Sequence, residues 1–222
     1  MIKMVVSSFY NALINYEEAI PVSTMLEIER IRKKGIVFSV CTNNNYQEVL
    51  DYNRDFPFLD YIIALNGALI YDVLKKEIIY KKKLNKKNIA KIEKLFNPNL
   101  IKYYKYQNDI YKIDIDITDT NFNLKDLESV NKNIFIKNNR TYLEITSILT
   151  DNYQALERII TKKNISKEEV LALVANDADL VLATNLPKVY IMENASDTLC
   201  LTKHQTTTSN NNGGVSKVLK EI

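Results

Sequence analysis

The chain has 222 residues, of which 46% are hydrophobic and 26% charged, and its formal net charge is +3. This composition indicates a globular protein with one large domain, or one domain with an insert, and excludes a disordered or fibrous chain. Two cysteines, one histidine and four glycines are too few for a disulfide framework, a zinc site or a glycine-rich phosphate loop.

The charge and hydropathy patterns also bear on partners and location. The basic residues are scattered, so we expect no nucleic-acid partner. No apolar run approaches the roughly 18 residues of a membrane span, and the first residues lack a signal-peptide pattern. We therefore expect no membrane partner and a cytoplasmic location.

The first seventy residues alternate between buried strands and helices. Short apolar runs predict strands at 2–9, 36–41 and 61–65. The start of a helix between the first two is marked by Pro21 and by a capping box of Thr24 and Glu27, and the helix stops at Gly35. A second helix follows the polar run after Cys41. This alternation predicts right-handed βαβ units and a parallel sheet.

The pattern changes between residues 72 and 147, where we predict an inserted α+β unit. Residues 100–117 hold two strands broken near Asn108, and Asp114 and Asp116 alternate with isoleucines, as in an antiparallel strand with one wet face. A second hairpin turns near Asn138. Helical patterns cover 89–96 and Leu124–Leu127.

The first pattern returns after residue 147. It predicts a helix around Leu156, strands at 170–174 and 189–192, and a closing helix over 215–222. Residues 1–71 and 148–222 together therefore form a discontinuous α/β core around the insert 72–147.

Several segments of this core carry a family resemblance through their order and spacing: Lys34-Gly35-Ile36, Leu65–Tyr71, Leu143-Glu144-Ile145 and Asn194–Asp197. The chain resembles the haloacid dehalogenase (HAD) superfamily, in particular the Cof-type sugar-phosphate phosphatases. The resemblance implies a three-layer, Rossmann-like α/β core with a parallel sheet, and a reduced α+β cap.

The resemblance also assigns positions to the family's catalytic groups. Ser8 stands at the position of the aspartate nucleophile and Tyr10 at that of the aspartate acid/base. Asn152 replaces the lysine that holds phosphate. In the last motif Ala175 replaces an aspartate, and Asp179 is the one carboxylate that remains. The resemblance thus predicts a phosphatase scaffold with degenerate catalytic residues.

These replacements predict an inactive protein. The resemblance alone implies Mg²⁺, an ion that prefers charged oxygen ligands. Because most of these ligands are replaced, we expect no cofactor and only Asp179 as a residual metal ligand. Ser8 has no neighbour in sequence that could take its proton. Each loss of a catalytic group slows such chemistry by roughly 10²-fold to 10⁴-fold, without simple multiplication.

Thr42 remains as a candidate ligand-binding residue, with Asn43 and Asn66, because a hydroxyl followed by backbone N–H groups at a helix start can hold an anion. We therefore favour a binding or regulatory module for a small anionic ligand or a protein partner. The alternative is a Mg²⁺-dependent phosphatase of sugar phosphates or related metabolites. Nucleic-acid binding is supported only by the interleaved tyrosines and lysines of residues 101–106.

Overall fold

The computed structural model of the chain describes residues 1–55, 57–118, 127, 130, 133–139, 141–148 and 150–222. Contacts divide it into two compact units. The core unit consists of Met1–Ile79 and Asp151–Ile222, and the inserted unit of Tyr80–Thr150. The helical pattern predicted at Leu124–Leu127 falls outside the described residues except for Leu127.

The core unit is built on a mixed sheet, which has eight strands in the part of the chain described. They are β1 (Met4–Ser8), β2 (Val37–Cys41), β3 (Tyr61–Ala64), β4 (Leu69–Asp72), β5 (Glu77–Lys81), β10 (Val170–Val174), β11 (Val189–Met192) and β12 (Gln205–Thr207), in the order β12-β11-β10-β1-β2-β3-β4-β5. The strands from β12 to β3 are parallel, whereas β4 runs antiparallel to β3. The sheet therefore continues beyond residue 71 into β4 and β5.

Helices cover this sheet as the parallel strand order requires. They are α1 (Val22–Lys33), α2 (Tyr46–Asp55), α4 (Asn152–Lys163), α5 (Leu180–Asn185), α6 (Asp197–Cys200) and α7 (Gly214–Leu219). In the order of the sheet, α1 connects β1 to its neighbour β2, whereas α5 connects β10 to β11 in the opposite direction. Right-handed crossovers therefore place these helices on opposite faces, which gives the three layers. None of the helices in the described part of the chain is long and apolar enough to cross a membrane.

Most predicted elements of the core occur within a few residues of their predicted bounds, but one of the two signals predicted for the start of α1 is corrected. The helix begins at Val22, after Pro21, and Thr24 lies inside it as a buried residue. The capping box of Thr24 with Glu27 is therefore not formed. Pro21, the other predicted start signal, directly precedes the helix, and its fixed φ is already close to the helical value. Gly35 follows the helix with a φ of +80°, as predicted.

In its described residues, the inserted unit holds an antiparallel sheet and one α-helix, α3 (Lys86–Leu95). Its strands are β6 (Ile101–Tyr106), β7 (Asp109–Asp116), β8 (Ile134–Asn138) and β9 (Tyr142–Ser147), in the order β6-β7-β9-β8. One face of this sheet packs into a hydrophobic core with α3, through residues such as Ile92, Ile113 and Ile145. Both predicted hairpins are confirmed.

The opposite face of β7 is less exposed than the alternation predicted. Lys112 is fully buried, and its Nζ lies 2.8 Å from Oε2 of Glu144 and 3.3 Å from Oδ1 of Asp114. The Tyr104 hydroxyl donates to Oδ2 of Asp114 at 2.7 Å. Burial raises the pKa of Asp114, and the charge of Lys112 opposes this shift. Only Asp116 of the two predicted wet aspartates is exposed.

Candidate functional site at the carboxyl ends of the core strands

The carboxyl end of β1 carries a buried serine that is paired with an aspartate. The Ser8 hydroxyl donates to Oδ2 of Asp179 at 2.5 Å and accepts a hydrogen bond from the Ala175 N–H at 3.0 Å. Because β1 and β10 are parallel neighbours, Ser8 and the loop after β10 meet at one edge of the sheet. The expectation that Ser8 has no proton acceptor held only for its neighbours in sequence; the fold provides Asp179.

The second carboxylate oxygen of Asp179 also accepts a hydrogen bond. Asn152, the first residue of α4, donates from Nδ2 to Oδ1 of Asp179 at 2.8 Å. Asn152 and Asp179 are each 2% exposed. Burial raises the pKa of Asp179, while the hydrogen bonds from Ser8 and Asn152 act in the opposite direction. Among the described residues, Oδ1 of Asn152 has no hydrogen-bond partner.

Asparagine side chains connect the four loops that follow β1, β10, β11 and β12. Nδ2 of Asn11 donates to Oδ1 of Asn176 at 2.7 Å, and Nδ2 of Asn176 donates to the Tyr10 carbonyl at 3.0 Å. Nδ2 of Asn194 donates to the Asn11 carbonyl at 2.8 Å, and Oδ1 of Asn194 accepts from the Asn210 N–H at 3.1 Å. This edge of the sheet is thus held together by uncharged amides.

The loop after β2 holds Thr42, which is 4% exposed. Its N–H donates to the Ile63 carbonyl at 2.9 Å, and its own carbonyl accepts from the Asn66 N–H at 3.3 Å. Its hydroxyl accepts from the Asn44 N–H at 3.1 Å. Nδ2 of Asn44 in turn donates to Oε2 of Glu48 at 2.8 Å, which places a carboxylate beside the start of α2.

Tyr10 lies next to this carboxylate. Its hydroxyl donates to Oε2 of Glu48 at 3.4 Å, and its ring makes an edge contact with Phe9 at a centroid distance of 5.0 Å. Burial raises the pKa of Tyr10, a hydrogen bond with Asn44 opposes the shift, and the charge of Glu48 adds to it. The residue at the predicted acid/base position is therefore a poor proton donor near neutral pH.

A close backbone contact positions α4 and its first residue. Gly67 has a φ of +84°, and a Cβ at this position would overlap the backbone carbonyl of Asp151. The Asp151 carboxylate caps α4 by accepting from the Gln154 N–H at 2.8 Å. The loop after β3 can thus approach the start of α4 only without a side chain at residue 67. This contact supports Asn152 in its place beside Asp179.

The sequence matches the family model of haloacid dehalogenase-like hydrolases over residues 11–134 and 101–219. The chain belongs to the haloacid dehalogenase-like hydrolase family. The matched ranges begin after Ser8 and Tyr10. A search of curated proteins finds no match.

Solved structures of the family share this fold. A haloacid dehalogenase-like hydrolase from B. subtilis has a TM-score of 0.83 and 17% identity, with 100% of both chains covered. A phosphatase of the superfamily from Bacteroides thetaiotaomicron has a TM-score of 0.85 and 15% identity, covering 100% of this chain and 95% of its own. A sugar phosphatase of HAD subclass IIB has a TM-score of 0.82 and 16% identity, covering 99% and 98%. At these identities the likeness shows the fold.

The residues at the carboxyl edge do not fit the Mg²⁺ that the HAD family implies. Mg²⁺ requires several oxygen ligands, with charged ones preferred. Here Asp179 has both oxygens in hydrogen bonds to Ser8 and Asn152. In the described part of the chain, no group of three acidic, histidine or cysteine side chains is placed to bind a metal ion. Asp179 is thus a buried hydrogen-bond acceptor.

The structure brings together Ser8, Asn152, Ala175 and Asp179, and it places Thr42 and Asn66 in one loop contact, with Asn43 between β2 and α2. Tyr10 lies near this second group through Glu48. Sequence reasoning missed Glu48, Asn11 and Asn176. The signal for the asparagines was present, because each follows a predicted strand in the order of a parallel sheet, but uncharged amides do not mark a catalytic site.

Proposed function

We propose that this protein is a HAD-family member without aspartyl-phosphate chemistry that serves as a binding or regulatory module. The observation that carries the proposal is the Ser8–Asp179 hydrogen bond of 2.5 Å, in which both partners are buried. A nucleophile must reach its substrate, and the Ser8 side chain is fully buried in this structure.

The groups that would stabilise phosphoryl transfer are also replaced. Asn152 offers an uncharged amide in place of a cation, so charge that develops on a phosphoryl group would have no fixed counter-charge. None of the described hydrogen bonds or ion pairs of Ser8, Asn152 and Asp179 involves a lysine or an arginine. The raised pKa of Tyr10, caused mainly by burial, disfavours proton donation to a leaving group.

For the binding role, we propose a small ligand at the Thr42 loop or a protein partner. The start of α2 with Thr42, Asn43 and Asn66 supports the first, since backbone N–H groups at a helix start attract an anion. Glu48 opposes it, because its carboxylate already accepts from the Asn44 amide. An anionic ligand would have to compete with this carboxylate.

The proposal is tested by incubating the protein with p-nitrophenyl phosphate and a panel of sugar phosphates, with and without Mg²⁺. Asp179→Asn and Ser8→Ala serve as matched variants, and calorimetric titration with Mg²⁺ alone measures metal binding. We expect no Mg²⁺-dependent turnover above that of Ser8→Ala and no saturable Mg²⁺ binding. Turnover that requires Mg²⁺ and disappears in Ser8→Ala would refute the proposal.

The second candidate is a phosphatase of sugar phosphates or related metabolites. One observation favours it: a carboxylate 2.5 Å from a hydroxyl is placed to accept its proton, which is how a serine is activated. Family membership and the likeness to a sugar phosphatase of subclass IIB agree with it. This candidate predicts that Ser8→Ala and Asp179→Asn lose turnover equally.

A further inference from the structure

A cavity of about 450 Å³ lies at the amino ends of β10, β11 and β12. A cavity of this size is large enough for a small organic ligand. It is on the opposite edge of the sheet from Ser8 and Asp179, because these parallel strands begin where the cavity lies and end at the candidate site. Neither the proposed function nor the family assignment gives this cavity a role.

The polar side of the cavity is basic. Lys188 precedes β11, and Lys203 and His204 precede β12. Neither lysine forms an ion pair with any residue that the structure describes, and both are exposed. Nε2 of His204 lies 2.7 Å from the Ala183 carbonyl and donates to it, which fixes the imidazole ring in the wall.

The acidic side chain in the wall of the cavity, Glu221, already accepts a hydrogen bond. Glu221 accepts a hydrogen bond from the Tyr190 hydroxyl at 2.9 Å, so its carboxylate is held by a wall residue. Among the side chains of the wall, two lysines against one glutamate leave a single positive charge without a counter-charge, before His204 is considered. The main-chain oxygen of Ile222, which also lines the cavity, accepts from Nη1 of Arg30 at 3.0 Å and from Nζ of Lys34 at 2.9 Å. This balance suits a monoanion better than a phosphate dianion.

The remaining wall is apolar apart from the side chain of Gln205. Leu171, Val189 and Val218 are buried side chains of the sheet and α7, and they line the cavity together with Ile2, Pro187 and Ile222. An apolar lining with a few placed polar groups is the usual character of small-molecule sites. A ligand that matches both parts has an apolar tail and a single negative charge.

We propose that this cavity binds a carboxylate with an apolar tail, with Lys188 and Lys203 at its charged end. The test is calorimetric titration of the full chain with octanoate, compared with octanamide, which has the tail without the charge, and with acetate, which has the charge without the tail. We expect saturable binding of octanoate and at least roughly tenfold weaker binding of the other two.

The double variant Lys188→Gln/Lys203→Gln is expected to weaken octanoate binding roughly tenfold or more. The matched control is Lys94→Gln/Lys162→Gln, which removes the same charge from two exposed lysines elsewhere and should bind as the wild type does. Asp179→Asn should also bind normally, which separates this proposal from the proposed function. Absence of octanoate binding, equal binding of octanamide, or equal losses in both lysine pairs would each overturn it.

Discussion

Ser8 and Asp179 are 171 positions apart in the sequence, yet the hydroxyl of Ser8 donates to the carboxylate of Asp179 at 2.5 Å inside the core unit. Asn152 donates to the other carboxylate oxygen. At the edge where a HAD-family enzyme is expected to hold its reactive groups, this chain has a buried carboxylate with both of its oxygens in hydrogen bonds to uncharged side chains. These hydrogen bonds therefore have consequences for stability that can be measured without a substrate.

Ser8→Ala is expected to lower the free energy of unfolding by about 1–3 kcal/mol, because it leaves one oxygen of a buried carboxylate without its donor. The measurement is chemical denaturation at neutral pH. Ser39→Ala is the matched control, since Ser39 is an equally buried strand serine whose hydroxyl has no hydrogen-bond partner among the described residues. Equal losses in the two variants would show that the Ser8–Asp179 bond contributes nothing specific.

Asp179→Asn is expected to change the pH dependence of stability. Burial raises the pKa of Asp179 in the folded protein above the ordinary value of 3.8, so the folded state holds this proton more tightly than the unfolded state. The stability that this tighter proton binding contributes is fully present at a pH below the ordinary pKa and is lost as the pH rises through the raised pKa. The Asp179→Asn variant does not lose stability in this way, because an asparagine side chain does not titrate.

The free energy of unfolding of Asp179→Asn, relative to the wild type, should therefore increase as the pH rises from about 4 towards neutrality. Denaturant unfolding at a series of pH values measures the difference. Asn152 can rotate its amide to accept from the new side chain, so the variant is expected to fold. A difference that does not change with pH would contradict the assignment of a raised pKa.

Gly67→Ala is expected to destabilise the core unit strongly, because the added Cβ would overlap the backbone carbonyl of Asp151. Gly35→Ala is the control: its φ of +80° is similar, but no atom lies within 4 Å of the added Cβ. Gly35→Ala should lose only about 1–2 kcal/mol from the left-handed backbone. Similar melting temperatures for the two variants would refute the close contact between the loop and α4.

Glu48→Gln is expected to strengthen binding of inorganic phosphate at the Thr42 loop roughly fivefold, because it removes a like charge from the start of α2. Calorimetric titration with phosphate measures the change. Glu157→Gln has the same effect on net charge from an exposed position on α4 and should leave the affinity unchanged. If neither variant nor the wild type binds phosphate, the predicted anion site is wrong.

The sequence alone determined the class of the fold. Short apolar runs alternating with helical patterns are enough to predict the parallel core, and the alternation around Asn108 and Asn138 is enough to predict both hairpins of the inserted unit. These are local signals, since periodicity reports which faces of an element are buried. The capping box at Thr24 was wrongly predicted because Thr24 has the chemistry of a cap but lies where the core requires a buried side chain.

The tertiary structure alone decided how the residues at the predicted catalytic positions are paired. Ser8, Asn152 and Asp179 come from three distant segments, and their hydrogen bonds depend on the meeting of β1, α4 and the loop after β10. The same holds for Glu48, which becomes relevant to the Thr42 loop only through the Asn44 amide. A sequence shows which groups are charged, but the pairing and burial that set their pKa values arise only when parallel strands bring their ends together.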